Sequence, residues 1–179
     1  MVEIVKKVDN NSCPIIVIGM MGAGKTTIGR ALAREMGLNF VDLDHEIVRR
    51  SGVAIPTIFD IEGEEGFRRR ETQALSDTIN QPNIVLATGG GAILREENRA
   101  LLRQGIVIYL KASVDELYAR VAKDANRPLL QTENPRERIA QLLEIRHPIY
   151  EMLADITLET KDGSIPSAVK RLKQALTEL

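Results

Sequence analysis

The chain has 179 residues, of which 44% are hydrophobic and 27% charged, and its formal net charge is −1. These values are typical of one compact globular domain, and they exclude the broad basic surface expected of a protein that binds nucleic acid or a membrane. The single cysteine, Cys13, excludes an internal disulfide and favours a reducing, cytoplasmic location. Residues 1–12 have no signal-peptide core and are predicted to form a flexible leader.

A phosphate-binding loop follows the first predicted strand. Residues Gly19 to Thr26 read GMMGAGKT and match the Walker A pattern G-x-x-x-x-G-K-[ST], directly after the apolar run Pro14 to Ile18. Glycines let backbone N–H groups converge on one point, and the helix that follows directs its own N–H groups there. Lys25 can reach the β- and γ-phosphates, and the Thr26 hydroxyl can bind Mg²⁺. The stretch predicts a nucleoside triphosphate site; the alternative is a glycine-rich turn with an exposed lysine.

The rest of the chain alternates predicted strands with predicted helices. Short apolar runs predict strands at 14–18, 39–44, 84–87, 106–110 and 156–158. Helical spacing predicts helices at 27–36, from the end of the second strand to residue 50, and at 54–61, 64–79 and 95–104. Further helices are predicted after the capping residue Ser113, at 136–153 with an interruption at Pro148, and at 167–179. The segment 125–135 carries two prolines and few periodic apolar residues, which predicts a mobile lid.

This alternation predicts an α/β fold in which a parallel sheet carries helices on both faces. Ligands of such sheets bind beyond the carboxyl ends of the strands. The phosphate loop, the pair Asp42 and Asp44, and the triple glycine Gly89 to Gly91 each follow a predicted strand. We therefore expect all three to meet in one crevice.

The two aspartates and the triple glycine each allow two interpretations. Asp42 and Asp44 are two residues apart, so on a strand they would point to the same side. One could hold Mg²⁺ through water while the other accepts a hydrogen bond from an attacking hydroxyl, or both could cap the next helix. Gly89 to Gly91 either admit a ligand close to the backbone or form a tight turn.

Several arginines could supply positive charge to this crevice. Successive residues of a helix are spread by about 100°, so at most one or two of Arg68, Arg69 and Arg70 can face it. Arg127 lies in the predicted lid and could deliver a cation to the γ-phosphate on closure. Arg146 lies near the interruption at Pro148. For each of these arginines, a solvated surface position is the alternative.

Six segments resemble, in order and roughly in spacing, the motifs of shikimate kinases. They are GMMGAGKTTIGR at 19–30, FVDLD at 40–44, GEEGFRRRE at 63–71, TGGGA at 88–92, RPLL at 127–130 and RHPIY at 146–150. The resemblance implies a three-layer P-loop kinase fold, with a five-stranded parallel sheet of order 2-3-1-4-5. It also implies the reaction, which is ATP-dependent phosphorylation of the 3-hydroxyl of shikimate, giving shikimate 3-phosphate and ADP, in aromatic amino-acid biosynthesis.

The resemblance further implies a role for each matched residue. Asp44 would bind the substrate hydroxyls and act as base or orienter, and Arg68 and Arg146 would bind the carboxylate. The ring would be covered by Gly89, Gly90 and Gly91. The nucleotide would contact Gly22, Ala23, Gly24, Lys25, Thr26, Thr27, Arg120, Arg127 and Pro166. Lys25 and Arg127 would neutralise the transferring phosphoryl group, while Mg²⁺ would be held by Thr26 and, through water, by Asp42.

Two other functions stay open at the level of sequence. One is another P-loop small-metabolite kinase, such as a gluconate kinase, and the other is a catalytically inactive nucleotide-binding module. The chain differs from the family pattern in its longer leader and in an apparent extra residue within 161–166, near the expected adenine site. A monomer that binds shikimate and ATP is the default expectation.

Overall fold

The computed structural model of the chain describes residues 13–122, 130–161 and 163–179. The predicted leader at 1–12, much of the predicted lid and the catalytic candidate Arg127 lie outside these ranges. Within them, no helix combines the length and the apolar character needed to cross a membrane.

Five parallel strands form the central sheet in the order β2-β3-β1-β4-β5, which confirms the predicted fold. They are β1 (Ile15–Ile18), β2 (Asn39–Asp42), β3 (Ile84–Ala87), β4 (Ile106–Lys111) and β5 (Ile156–Glu159). The three central strands are almost entirely apolar and buried, as expected of strands covered on both faces. Val17 of β1 pairs with Ala87 of β3 and with Ile108 of β4, so the carboxyl ends of these strands lie at one edge.

Helices connect the strands and surround the sheet. They are α1 (Lys25–Met36), α2 (Leu43–Ser51), α3 (Ile55–Thr78), α4 (Glu96–Leu102), α5 (Val114–Val121), α6 (Pro135–Leu153) and α7 (Ile165–Thr177). A short 3₁₀ helix, Ala92–Leu94, precedes α4. Helix α1 packs against α7, α2 against α3, and α5 against α6.

Strand β2 ends two residues earlier than predicted. The Oδ1 atom of Asp42 accepts a hydrogen bond from the His45 N–H at 3.2 Å and caps α2, so Asp44 lies in the first turn of that helix. Of the two interpretations, a shared side of a strand is therefore wrong, and capping of the next helix is confirmed for Asp42. Strand β2 lies at the edge of the sheet, so N–H groups on the open side of a longer strand would have only water as acceptor. In the helix that begins instead, the Asp42 side chain accepts from an N–H of the first turn.

The predicted break at Gly63 is present, whereas α6 is longer than predicted. Within α3 (Ile55–Thr78), Gly63 leaves the helical conformation (φ 70°, ψ −178°), so a kink separates the predicted segments 54–61 and 64–79. Helix α6 continues through Pro148, so the predicted interruption is wrong, and Pro135 begins this helix rather than ending a loop. A proline removes one hydrogen bond, but burial of one face of α6 from Ile139 to Leu153 outweighs that loss.

The predicted cap of α5 is present and can be tested. Ser113 Oγ accepts from the Glu116 N–H at 3.3 Å, and Glu116 Oε2 accepts from the Ser113 N–H at 2.7 Å. Ser113→Ala should lower the free energy of unfolding by about 1 kcal/mol, because one N–H of the first turn loses its acceptor. Urea denaturation measures this change. Ser113→Asp keeps an acceptor and should retain stability; equal stability of all three proteins would contradict the cap.

Candidate active site

The phosphate loop has the geometry that its sequence predicts. Gly24 adopts a left-handed conformation (φ 95°) and begins α1 without a side-chain cap, so the first N–H groups of the helix face the loop. Lys25 Nζ donates a hydrogen bond to the Met20 carbonyl at 2.8 Å, which holds the ammonium group across the loop. Backbone donors and a lysine ammonium thus converge on one point at the carboxyl end of β1.

Thr26 and Asp42, the two candidate Mg²⁺ ligands, are adjacent. Thr26 Oγ1 donates to Asp42 Oδ2 at 2.7 Å. A hydroxyl and a carboxylate are hard oxygen donors, so the pair fits Mg²⁺. In the described part of the chain, no group of three or more His, Cys, Asp or Glu side chains could hold a metal ion. An ion here would complete its coordination with phosphate and water oxygens, as Mg²⁺ commonly does.

The triple glycine after β3 lies against a set of charged side chains. A Cβ atom at Gly89 would lie 2.9 Å from Glu71 Oε2 and 3.0 Å from Asp44 Oδ1. A Cβ atom at Gly91 would collide with the guanidinium of Arg68. The glycines are therefore required by close approach of side chains to the backbone, and the three charged groups belong to one cluster.

Gly90 lies between this cluster and the phosphate loop. A Cβ atom at Gly90 would lie 3.3 Å from Arg146 Nη1 and 3.4 Å from both the Gly19 carbonyl oxygen and the Met21 nitrogen. The Tyr150 hydroxyl donates to the Gly90 carbonyl at 2.5 Å. The expected meeting of phosphate loop, Asp44 and triple glycine in one crevice is present.

Only one arginine of the run at 68–70 faces the crevice. Arg68 is 7% exposed, whereas Arg69 and Arg70 lie at the surface and pair there with Glu65 and Glu62, at 3.9 Å and 2.6 Å. Helical spacing predicted that at most two could face inward, and packing selects the first.

Glu71 is a member of the cluster that the sequence analysis missed. Arg68 Nη1 donates to Glu71 Oε1 at 2.8 Å, and Arg68 Nη2 donates to Glu64 Oε1 at 3.2 Å. Burial raises the pKa of the fully buried Glu71 carboxyl, while Arg68 acts to lower it and Asp44 to raise it further. An acid three residues after an arginine on a helix was the available signal.

Arg146 is the most deeply buried cation of the cluster, with 2% of its surface exposed. Burial lowers the pKa of its guanidinium, and the positive charge of Arg68 lowers it further. Within the described residues, Arg146 forms no ion pair with a carboxylate. A buried arginine without such a partner beside a glycine loop is a suitable site for a small carboxylate or phosphate.

Two candidates for contact with the nucleotide, Arg120 and Pro166, line different cavities. A cavity of about 280 Å³ beside the phosphate loop is lined by residues that include Gly24, Thr27 and Arg120, and Arg120 donates to the Gly22 carbonyl at 3.0 Å. Pro166 instead lines a groove between α1 and α7, although its neighbours Ile165 and Ser167 line the loop cavity. Arg120 therefore lies at the phosphate loop, and contact between Pro166 and the adenine stays a prediction.

Known proteins are similar to this chain both in sequence and in fold. The family model described as shikimate kinase matches residues 21–177. The shikimate kinase of Bordetella avium (strain 197N) is 55% identical over 160 residues, which are 89% of this chain and 77% of that protein. That of Methylococcus capsulatus (strain ATCC 33009 / NCIMB 11132 / Bath) is 55% identical over 162 residues, 90% of each chain.

Solved structures support the same assignment. Shikimate kinase from Acinetobacter baumannii in complex with shikimate has a TM-score of 0.91 and 46% identity, covering 93% of this chain and 94% of that one. A gluconokinase from Sinorhizobium meliloti 1021, with 16% identity and a TM-score of 0.64, shares the fold alone. The chain belongs to the shikimate kinase family.

Proposed function

We propose that this chain transfers the γ-phosphate of ATP to the 3-hydroxyl of shikimate, releasing shikimate 3-phosphate and ADP for aromatic amino-acid biosynthesis. One observation carries the proposal: the buried Arg146 guanidinium and the backbone of the phosphate loop both approach Gly90, each within 3.4 Å of the position of a Cβ atom there. Membership of the shikimate kinase family supports the same reaction. The geometry suits an acceptor that has a carboxylate at one end and a reactive hydroxyl towards the phosphates.

On the acceptor side, the two buried arginines bind the carboxylate of shikimate. Arg146 offers a guanidinium that no acid in the described chain pairs with, and Arg68 is held in place by Glu71. Asp44 lies beside the same glycine loop, at Gly89, where Glu71 also approaches. It accepts a hydrogen bond from the 3-hydroxyl, orients its oxygen in line with the γ-phosphate and takes its proton as the bond forms.

On the nucleotide side, phosphoryl transfer requires alignment and neutralisation of charge rather than a protein nucleophile. The N–H groups of the loop and Lys25 hold the phosphates, and Arg120 borders the cavity that receives the nucleoside. Thr26 and, through water, Asp42 would hold Mg²⁺, since the two side chains are hydrogen-bonded neighbours. When bound, the ion would neutralise negative charge on the phosphates. Arg127, outside the described residues, takes its role as second cation from the family resemblance.

The direct test is an ADP-release assay of the purified chain with ATP, Mg²⁺ and shikimate. We expect ADP release that depends on shikimate, with one equivalent of shikimate 3-phosphate formed. Release that requires gluconate instead would support the other small-metabolite kinase. Nucleotide binding without turnover of either acceptor would support the inactive module.

Replacing the loop lysine tests the nucleotide site. Lys25→Ala should weaken ATP binding by about 10- to 100-fold, because a charged hydrogen-bond donor to the phosphates is removed. Isothermal titration with ATP and Mg²⁺ measures this affinity. Lys173→Ala is the matched control, since Lys173 lies on α7 and pairs with Glu35 at 3.7 Å. Unchanged ATP affinity in folded Lys25→Ala would exclude the assigned role.

Replacing the buried arginine tests the acceptor site. Arg146→Lys should raise the KM for shikimate by about 10- to 100-fold, because a lysine cannot form the bidentate contact. The KM for ATP should stay close to that of the unmodified chain. Arg69→Lys, at an exposed position, is the control and should leave both constants unchanged. Equal shikimate KM values in the two variants would contradict carboxylate binding by Arg146.

A further inference from the structure

Tyr150 lies on α6 one turn after Arg146 and is completely buried. Its ring stacks on the ring of Tyr109, with centroids 4.9 Å apart and an interplanar angle of 25°. Its hydroxyl donates to the Gly90 carbonyl at 2.5 Å. Residues four apart on a helix share a face, so Arg146 and Tyr150 approach the glycine loop together.

The Tyr150 hydroxyl makes a second contact, with Arg146. A phenol can donate one hydrogen bond and accept others. The proton is directed at the Gly90 carbonyl, and the hydroxyl interacts electrostatically with the Arg146 guanidinium, one turn before it on α6. Burial raises the pKa of Tyr150, so the hydroxyl retains the proton that it donates. The Tyr150 hydroxyl thus lies beside both the Arg146 guanidinium and the glycine loop.

Both partners of this hydroxyl need a fixed position. Arg146 has a long, flexible side chain, is buried and forms no ion pair with an acid of the described residues, so its polar neighbours, Tyr150 among them, position its guanidinium. Gly90 lies between that guanidinium and the phosphate loop, with atoms of each within 3.4 Å of a Cβ position. A shift of either group would change the distance between bound carboxylate and bound phosphates.

We propose that Tyr150 is a positioning residue, which holds Arg146 and Gly90 in the relative geometry that binds the carboxylate of the acceptor. The inference rests on the proposed function. Tyrosine is required because phenylalanine fills the same space but can neither donate to the Gly90 carbonyl nor present a polar oxygen to Arg146. The role concerns recognition of the acceptor and leaves the nucleotide site unchanged.

Tyr150→Phe tests the role, with Tyr109→Phe as its matched control. Both variants remove one hydroxyl from the same stacked pair, but the Tyr109 hydroxyl hydrogen-bonds His147 Nδ1 at 3.0 Å and not the glycine loop. Tyr150→Phe should raise the KM for shikimate by about tenfold, as expected for loss of buried hydrogen bonds. The KM for ATP should change by less than about twofold in either variant. Tyr109→Phe should also leave the shikimate KM unchanged.

Turnover of shikimate by the unmodified chain is measured first, and the variants are compared with it. If the unmodified chain does not turn over shikimate, the proposed function is overturned. Given turnover, a lower melting temperature of Tyr150→Phe without a change in shikimate KM would overturn the positioning role. A double-mutant cycle with Arg146→Lys gives a second test. Effects on shikimate KM that are clearly less than additive support action through Arg146, and additive effects overturn it.

Discussion

The close approach of charged side chains to the backbone of Gly89, Gly90 and Gly91 is the constraint on which the site depends. A Cβ atom at any of these positions would lie within 3.4 Å of a charged side chain. With only hydrogen at each Cα, the loop after β3 lies between the Arg68 and Arg146 guanidiniums and the phosphate loop. The distance between the two binding regions is therefore set by main-chain atoms, which vary less than side chains.

The charges of this cluster make it suitable for an anion. Burying a guanidinium costs free energy unless an acid or strong acceptor compensates it. Glu71 compensates Arg68 at 2.8 Å, whereas Arg146 forms no ion pair with a carboxylate of the described residues and has the neutral Tyr150 side chain beside it. A bound carboxylate completes the compensation, so an acceptor without one would leave a desolvated positive charge. Selectivity follows from that difference in free energy.

The fold and the phosphate loop were predictable because their signals are local. Apolar runs, a glycine after α1 and the Walker A spacing each specify conformation within a few residues. The acceptor site depends on contacts between residues distant in the chain, and there sequence reasoning was incomplete. It left open whether Asp42 and Asp44 end a strand or cap the next helix, and the structure shows that Asp42 is the cap. Helical spacing could not choose among three consecutive arginines, and only the family resemblance singled out Arg68. Sequence reasoning also missed Glu71 and Tyr150, whose contacts lie near the glycine loop.

The central claim is that Arg146 and Arg68 recognise the acceptor by its carboxylate. The most direct measurement compares kcat/KM for shikimate with that for an analogue in which a neutral hydroxymethyl group replaces the carboxylate and the 3-hydroxyl is kept. We expect the analogue to be at least about a hundredfold poorer, because a site built around a charged partner leaves buried donors unpaired without it. Comparable values of kcat/KM for the two acceptors would contradict the account.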